Sequence, residues 1–519
     1  MSISKKRVKL EEIKRLFEAQ ERFTTKELSE HTQLTERTLR NYLAVLIEEN
    51  LILSFGKTNR RYYQRNYAID ENPIVVAVLE NGRQIGTLSF IYAKGYLFSY
   101  SLSYKGEKFP SLQEPVNHSY ALFTLFENLI PESTRRERLL LKDDKILNPL
   151  ELLLELDNTH GSLDFIELTS LVKSEQKSVE KMPTWKSLKA VILEKNSYVT
   201  LLDYDVDIPI EVLKGASKSR ELYSSLSGYQ HKIDVNIDRA NKRVYRINKA
   251  SGDLAHYLLK PYASDRRIKN TPYLALNEHL FLSFAKNELK FDVPFSAVLL
   301  GEHRDFYFLV KRYDRYRGYK YNQYDFAQQL EIESEDKYDI SIISILEKFN
   351  TTVKDKKSRE DVFRFMVYAS LIKHGDLHAK NIGLIETGRD RWELAPLYDI
   401  ISTYVYEGKK SDDFGIGLEH SNPKKRKLRY KEYLQMGSVL ELSSAKTTTL
   451  LRDTIRRFQR YFPKYIEMTK AFEEQLGYPN RLSKKLYSLY NEKNIEFDKL
   501  GVLDAVGLKR ETLLPTKKL

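Results

Sequence analysis

His374-Gly375-Asp376-Leu377-His378-Ala379-Lys380-Asn381 is the stretch on which the reading of this chain turns. It follows almost directly on VFRFMVYASLI, residues 362–372, a run apolar on every side that predicts a helix buried all round. Charged and polar groups packed behind a buried helix are costly unless they pair or do chemistry. His374 and His378 stand four apart, a zinc-ligand spacing if they lay on one helix. Gly375 and the crowd of polar residues argue for a loop, so the histidines are read as shaping it.

Asp376 and Asn381 are five apart, the spacing of the D-x-x-x-x-N catalytic loop of protein kinases. Such a loop needs an aspartate to accept the proton of a substrate hydroxyl and an asparagine to hold Mg²⁺. Lys380, beside Asn381, is placed to stabilise a transferring phosphoryl group. Eighteen residues beyond Asn381, the strand-like ELAPLYDI (393–400) presents Asp399, suited to chelating the metal. A literal Asp413-Phe414-Gly415 also occurs, but inside the polar run EGKKSDDFG (407–415), which reads as a solvated loop and a decoy.

Upstream, AHYLLKP (255–261) reads as a strand carrying Lys260, and a helix is predicted from about Pro272 to Leu289. Leu274, Phe281 and Ala285 mark its buried face, and Glu278 falls on that face. A buried carboxylate needs a partner, and Lys260 is the candidate, the strand-lysine to helix-glutamate pair of kinases; the alternative is a glutamate reaching solvent at the helix margin. FYFLVKRYDRYR (306–317) reads as a strand ending in the charged cluster Arg312, Asp314 and Arg315. Further upstream, SLSGYQHK (225–232) precedes the alternating strand IDVNI. Ser225, Gly228, Gln230 and Lys232 are its candidate phosphate contacts, a serine-rich hairpin being the alternative. Neither a GxGxxG nor a Walker pattern is present.

The first 70 residues read differently. Leu10, Ile13, Leu16 and Phe17 recur at helical spacing, a short helix spans Lys26–His31 with Thr25 as its N-cap, and Thr35 caps a third from about Glu36 to Glu49. Leu39, Leu43, Leu46 and Ile47 form the expected buried stripe of that helix, leaving Arg37, Thr38, Arg40 and Asn41 outward. LILSFGKTNRRYYQRNYAI (51–69) then gives two strands around a turn rich in Lys57, Arg60 and Arg61. Three helices and a basic hairpin resemble a winged helix-turn-helix domain, which presents its third helix to the major groove of DNA; a helical protein-interaction module is the alternative. Between the two regions, 74–90 reads as a hairpin turning at Asn81-Gly82, 120–132 as helical, and 172–209 as a peripheral elaboration or linker.

Composition bounds the rest. The 519 residues, at ~150 per domain, allow three to four domains. Lys and Arg number 85 against 72 Asp and Glu, a net charge of +13, of which the first 70 residues hold +4. Zero cysteines exclude disulfides, thiolate nucleophiles and Cys-ligated metals. No apolar run approaches the ~18 residues of a membrane span, and the opening MSISKKRVKLEEIKRL lacks the apolar stretch of a secretory signal. A cytoplasmic protein without membrane partners is expected.

In order along the chain, FENLIPE (126–132), SLSGYQHK, LLKP (258–261), LNEHL (276–280), VKRYDR with YDFAQQL (310–315, 324–330), and HGDLHAKN with LAPLYDI resemble the HipA family of serine/threonine kinases, the toxins of HipAB-type toxin–antitoxin modules. The resemblance runs from about Ile74 onward. It implies an α+β, bilobal protein-kinase-like fold with a largely helical C-terminal lobe, behind a small winged-helix domain. The expected domains are a winged helix at 1–70, a HipA-type N-terminal subdomain at 71–172, a kinase N-lobe at 173–325 and a helical C-lobe at 326–519. It implies Asp376 as catalytic base, Asn381 and Asp399 as Mg²⁺ ligands, Lys260 on ATP phosphates, and Ser225 as autophosphorylation site, with Ser227 a second acceptor. It further implies a protein substrate, an aminoacyl-tRNA synthetase or other translation protein among the candidates, and an antitoxin partner. The fused N-terminal domain departs from the family's usual separate DNA-binding antitoxin. The rival reading is a transcription regulator whose kinase-like part senses nucleotide without transferring phosphate.

Overall fold

The computed structural model describes residues 9–56, 61–65, 74–91, 95–130, 148–168, 182–194, 206–213, 232–247, 253–260, 273–300, 306–388, 391–419, 427–477 and 481–513, apart from positions 11, 15, 18–21, 49–50 and 157–158. Two compact units emerge, one of residues 1–156 with 164–177, the other of 157–163 with 178–519.

The first unit opens with helical residues between 9 and 17, strand β1 (Arg22–Thr24), helices α1 (Thr25–Thr32) and α2 (Glu36–Glu48), and the hairpin strands β2 (Ile52–Phe55) and β3 (Tyr62–Arg65). β3 lies between β1 and β2. Thr24, not Thr25, caps α1: its side chain accepts from the Glu27 backbone, while Glu27 reaches back to the Thr24 N–H in a reciprocal box. Thr35 accepts from the Thr38 backbone as expected. Leu39, Leu43 and Leu46 bury against Ile13, Phe17 and Phe23, but Ile47 is 37% exposed and Tyr42 takes its place in the core. The rotation follows from the larger apolar area that the ring removes from water.

Beyond it, β4 (Ile74–Glu80) and β5 (Arg83–Ile91) form the expected hairpin, with Asn81 and Gly82 at φ 48° and 80°, the left-handed pair of a type I′ turn. β6 (Gly95–Tyr100), β7 (Val116–Ser119) and β8 (Leu163–Glu167) complete a sheet ordered β7-β6-β5-β4-β8. The helix expected over 120–132 shrinks to a single turn at Thr124–Glu127; Leu125, Phe126, Leu129 and Ile130 are all buried, a density of apolar contact that a compact turn meets without a long helix.

The second unit holds a five-stranded antiparallel sheet ordered β10-β9-β11-β13-β12, with β9 at Ile233–Asp238, β10 at Arg243–Arg246, β11 at Tyr257–Lys260, β12 at Ser296–Leu300 and β13 at Phe306–Lys311. Helix α3 (Tyr273–Asn287) packs on β12 and β13 and is buried almost all round, with Leu274 only half-buried, rather than along the single face expected. Four further helices, α4 (Ile342–Thr352), α5 (Lys356–Ile372), α6 (Ser444–Gln475) and α7 (Arg481–Lys499), share its core. Phe284 meets Tyr368, Phe458, Phe462 and Tyr465 with ring centroids 5.1–6.0 Å apart, which locks α3 to α5 and α6. α5 is buried along its apolar length as its sequence predicts.

The span 172–209 is not a linker where it is described. Trp185 is buried with Ile192 and Leu193 against Tyr313, Tyr321 and Ile385, and its indole donates to the Tyr313 carbonyl at 2.8 Å. One bulky aromatic with a satisfied N–H is enough to dock a short helix.

Candidate active site

Strand β11 ends at Lys260 and α3 presents Glu278 one turn and a half from its start, so both side chains reach the same buried space. Lys260 Nζ donates to Glu278 Oε1 at 2.7 Å and Oε2 at 2.9 Å, and also to Asp399 Oδ1. Lys232, at the entry to β9, places its Nζ 3.5 Å from Asp399 Oδ2. Burial opposes the charge on Lys260, but Asp399 and Glu278 outweigh it and hold the ammonium well above its usual range. Burial likewise opposes the Asp399 carboxylate, and Lys232 and Lys260 outweigh it, keeping Asp399 ionised. Glu278 is held above the usual carboxylate range by burial, with Lys260 pulling the other way.

Asp399 is not on a strand. The strand ends at Leu394, and Asp399 sits in the following loop at φ 50°, a left-handed conformation that aspartate tolerates better than most residues but still at a cost. Its side chain is 29% exposed, facing a cleft lined also by Leu258, Leu282, Pro294 and Val310. An apolar wall beside fixed charges suits a ligand with a flat ring at one end and anionic groups at the other.

The loop after α5 is shaped by its own polar groups. Lys373 ends α5 in the left-handed region, His374 is fully buried, and its backbone bridges to Phe414. His378 caps a short 3₁₀ turn at Ala379–Asn381: its Nδ1 accepts from the Lys380 backbone at 3.2 Å, and its own N–H donates to Asn381 Oδ1 at 3.0 Å. Burial, aided by the Lys337 and Lys380 cations, keeps the His378 imidazole neutral, as an accepting Nδ1 requires. Lys380 is among the residues lining the cleft and its Nζ donates to Ser334 Oγ at 2.9 Å, while Tyr398 donates to the Lys380 carbonyl at 2.8 Å. Asp376 Oδ1 accepts from the Tyr338 hydroxyl at 2.5 Å. Among the described residues no cluster of three His, Cys, Asp or Glu could hold a metal. Asp399 lines the cleft with a hard carboxylate oxygen of the kind Mg²⁺ takes, whereas Asn381 is buried, its Oδ1 accepting from the His378 N–H.

Asp413 is not in a solvated loop. It is buried, accepting from Lys493 Nζ at 2.6 Å and from Ser370 Oγ at 2.8 Å, so its carboxylate is spent on holding α5 to α7. Gly415 lies so close behind the loop of residues 374–381 that a Cβ there would come within 2.6 Å of the Leu377 carbonyl.

Several neighbours were not legible from sequence. His160 lines the cleft, its Nε2 3.4 Å from Gln328 Oε1, and burial pushes its imidazole down to about 3. Its loop is anchored by the buried cluster at the end of β13: Asp314 accepts from both Arg312 and Arg315 and from the Gly161 N–H at 2.9 Å, and Arg315 donates to the Gly161 carbonyl at 2.7 Å. Ser225, Ser227, Gly228 and Gln230 lie outside the described residues, as do Lys57 and Arg60. Arg37, Arg40, Asn41 and Arg61 are exposed and Thr38 half-buried in the first unit; Arg40 pairs with Glu36 at 3.3 Å.

Residues 224–462 match the family described as HipA-like C-terminal domain. A Haemophilus influenzae protein named "Putative kinase" is 30% identical over 201 residues, 35% of this chain and 53% of that protein. "Putative kinase Y4dM" of Sinorhizobium fredii is 30% identical over 152 residues, 29% of this chain and 36% of that protein. The chain thus spans about half or less of the length of these curated relatives. Among solved structures, a chain of the Shewanella oneidensis toxin–antitoxin complex of HipA, HipB and operator DNA superposes with a TM-score of 0.54 at 16% identity, covering 83% of this chain and 99% of that one. The fold is α+β and protein-kinase-like, and the stretch similar to the HipA-like C-terminal domain lies within the second unit. Among the described residues no helix is long and apolar enough to cross a membrane.

Proposed function

We propose that the protein is an ATP- and Mg²⁺-dependent serine/threonine protein kinase of the HipA toxin type. The observation that carries this reading is the convergence of Lys260, Glu278 and Asp399 on one cleft, supported by the family match over 224–462. When bound, Mg·ATP supplies an electrophilic γ-phosphoryl group with its charge partly neutralised by the metal. Lys260, fixed by Glu278, presents a permanent positive charge to the phosphates, and Asn381 and Asp399 would hold the metal. Asp376 takes the proton of the acceptor hydroxyl, and Lys380 offsets negative charge developing beside it. Leu258, Leu282, Pro294 and Val310 exclude water from the ring end of the ligand.

Ser225, with Ser227 as second acceptor, is the autophosphorylation site in this reading. A phosphate there adds about −1.5 to −2 charge to the loop that contacts ATP and shuts the enzyme down. The N-terminal module is a winged helix-turn-helix domain that binds DNA through α2 and the hairpin, so that the kinase represses its own promoter. The partners are a translation protein as substrate, an aminoacyl-tRNA synthetase being one candidate, and an antitoxin, in keeping with the Shewanella complex. The setting is the cytoplasm.

The test is incubation of the purified protein with γ-labelled ATP and Mg²⁺ in a cell lysate, beside Asp376→Asn. Label in a discrete lysate protein with wild type alone supports the kinase; ATP binding without any label in protein supports a nucleotide sensor instead.

A further inference from the structure

Residues Ser334–Tyr338 form a strap tied to the catalytic loop at four points. Lys380 Nζ donates to Ser334 Oγ at 2.9 Å, and the Ala379 N–H donates to the Lys337 carbonyl at 3.3 Å. The Tyr338 ring stands edge-on to His378, centroids 4.9 Å apart and planes at 87°. Finally, the Tyr338 hydroxyl donates to Asp376 Oδ1 at 2.5 Å. The strap's first residues, Ser334–Asp336, make a 3₁₀ turn, and Ser334 and Lys337 are buried. Tyr338 itself is 42% exposed. The strap is therefore anchored by buried residues and offers, at its end, a phenol on the solvent side of the loop.

A general base must stand within about 2.6–3.2 Å of the proton it removes. The Tyr338 hydroxyl, 2.5 Å from Asp376 Oδ1, is already within hydrogen-bond reach and donates a hydrogen bond to the carboxylate, as an acceptor serine or threonine must. A donated hydrogen bond also lowers the basicity of the carboxylate. We infer that Tyr338 is a built-in stand-in for the acceptor hydroxyl, filling the place before Asp376 until a hydroxyl-bearing side chain of the protein substrate displaces it. The inference rests on Asp376 being the base. The ring touches His378 edge-on and has the Lys337 ammonium 5.3 Å from its centroid, and its partial exposure lets the phenol swing outward while Ser334 and Lys337 keep the strap in place. Tyr338 acts through Asp376 and is a positioning residue.

The test compares the full-length wild type with Tyr338→Phe, which keeps the ring and its contact with His378, and with Asp376→Asn and the double variant. The probes are γ-labelled ATP with Mg²⁺ and myelin basic protein as acceptor, with label in the protein's own serines read in parallel. Tyr338→Phe is expected to lower the KM for myelin basic protein about threefold to tenfold, the effect of removing one competing hydrogen bond, with the KM for ATP unchanged. The double variant is expected to be as silent as Asp376→Asn. An unchanged or raised acceptor KM in Tyr338→Phe, with Asp376→Asn inactive, overturns the stand-in and leaves the base intact. Equal transfer by wild type and Asp376→Asn, or no transfer to either acceptor by wild type and Tyr338→Phe, overturns the reading of Asp376 and the stand-in with it.

Discussion

Lys260 and Glu278, 18 residues apart in sequence, meet through two hydrogen bonds of 2.7 and 2.9 Å with both side chains almost wholly buried. Such a pair pins β11 to α3, and Asp399 adds a third element, the loop after Leu394. Taking one partner away leaves a buried charge without compensation.

Glu278→Gln and Lys260→Met are therefore expected to differ. Glu278→Gln leaves Lys260 the Asp399 carboxylate, whereas Lys260→Met leaves two carboxylates facing each other and costs about 3–5 kcal/mol. Urea unfolding monitored by the two tryptophans measures both; equal, small losses would contradict the pairing.

Asp399 and Asp413 are expected to separate function from stability. Asp399→Asn takes a carboxylate from Lys260 but leaves it Glu278 and relieves a strained position, so it is expected to lower the unfolding midpoint less than Asp413→Ala does while abolishing Mg²⁺-dependent nucleotide binding. Asp413→Ala leaves the buried Lys493 ammonium only Glu496, and takes the acceptor from Ser370, at about 1–3 kcal/mol. Thermal unfolding and a titration of ATP with and without Mg²⁺ distinguish them; the reverse pattern would make Asp413 the metal ligand.

Acid is expected to destabilise the second unit before its surface carboxylates titrate. Burial lowers His160 to about 3, and His256 and His279 to about 4, from 6.5. Their folded values lie below the unfolded one, so stability is complete above pH 6.5 and is lost as pH falls, because the unfolded chain takes up protons that the folded one refuses. Glu278, raised to about 7, acts in the opposite sense, but one group opposes five, since burial lowers His374 and His378 as well. Each histidine contributes a slope of up to about 1.4 kcal/mol per pH unit. Unfolding midpoints measured from pH 7.5 to 5 should fall, and His279→Phe should flatten the curve; a midpoint that rises toward pH 5 would contradict it.

The N-terminal module gives a salt-dependence test. Replacing Arg37, Arg40 and Arg61 together by Ala is expected to weaken binding to a mixed-sequence duplex and to reduce the slope of log K against log salt by roughly 0.9 for each phosphate no longer neutralised. An unchanged slope would place any DNA-binding surface elsewhere.

What could be seen in the sequence was what lies close along it. Asp376, His378 and Asn381 build one loop within six residues, and Thr35 caps its own helix, so spacing alone exposes them. Lys260 and Glu278 were traceable because a carboxylate on an apolar helix face demands a cation nearby. By contrast, Gly161 meets Asp314, and Asp413 meets Lys493, across long stretches of chain with no periodic signal at either end. Asp413-Phe414-Gly415 looked solvated because its flanks are polar, yet Lys493 from a distant helix neutralises it. Tyr338 stayed hidden for a similar reason: only the folded loop brings an otherwise ordinary surface tyrosine to Asp376.

Transfer of phosphate from this cleft to a serine is tested most directly by phosphosite mapping. Wild type and Asp376→Asn are each incubated with ATP and Mg²⁺ and their peptides over 220–232 analysed by mass spectrometry. Phosphoserine at 225 or 227 in wild type, absent from Asp376→Asn, is the expected result. An unmodified loop in wild type under conditions where ATP binds, or equal phosphorylation in Asp376→Asn, would contradict it.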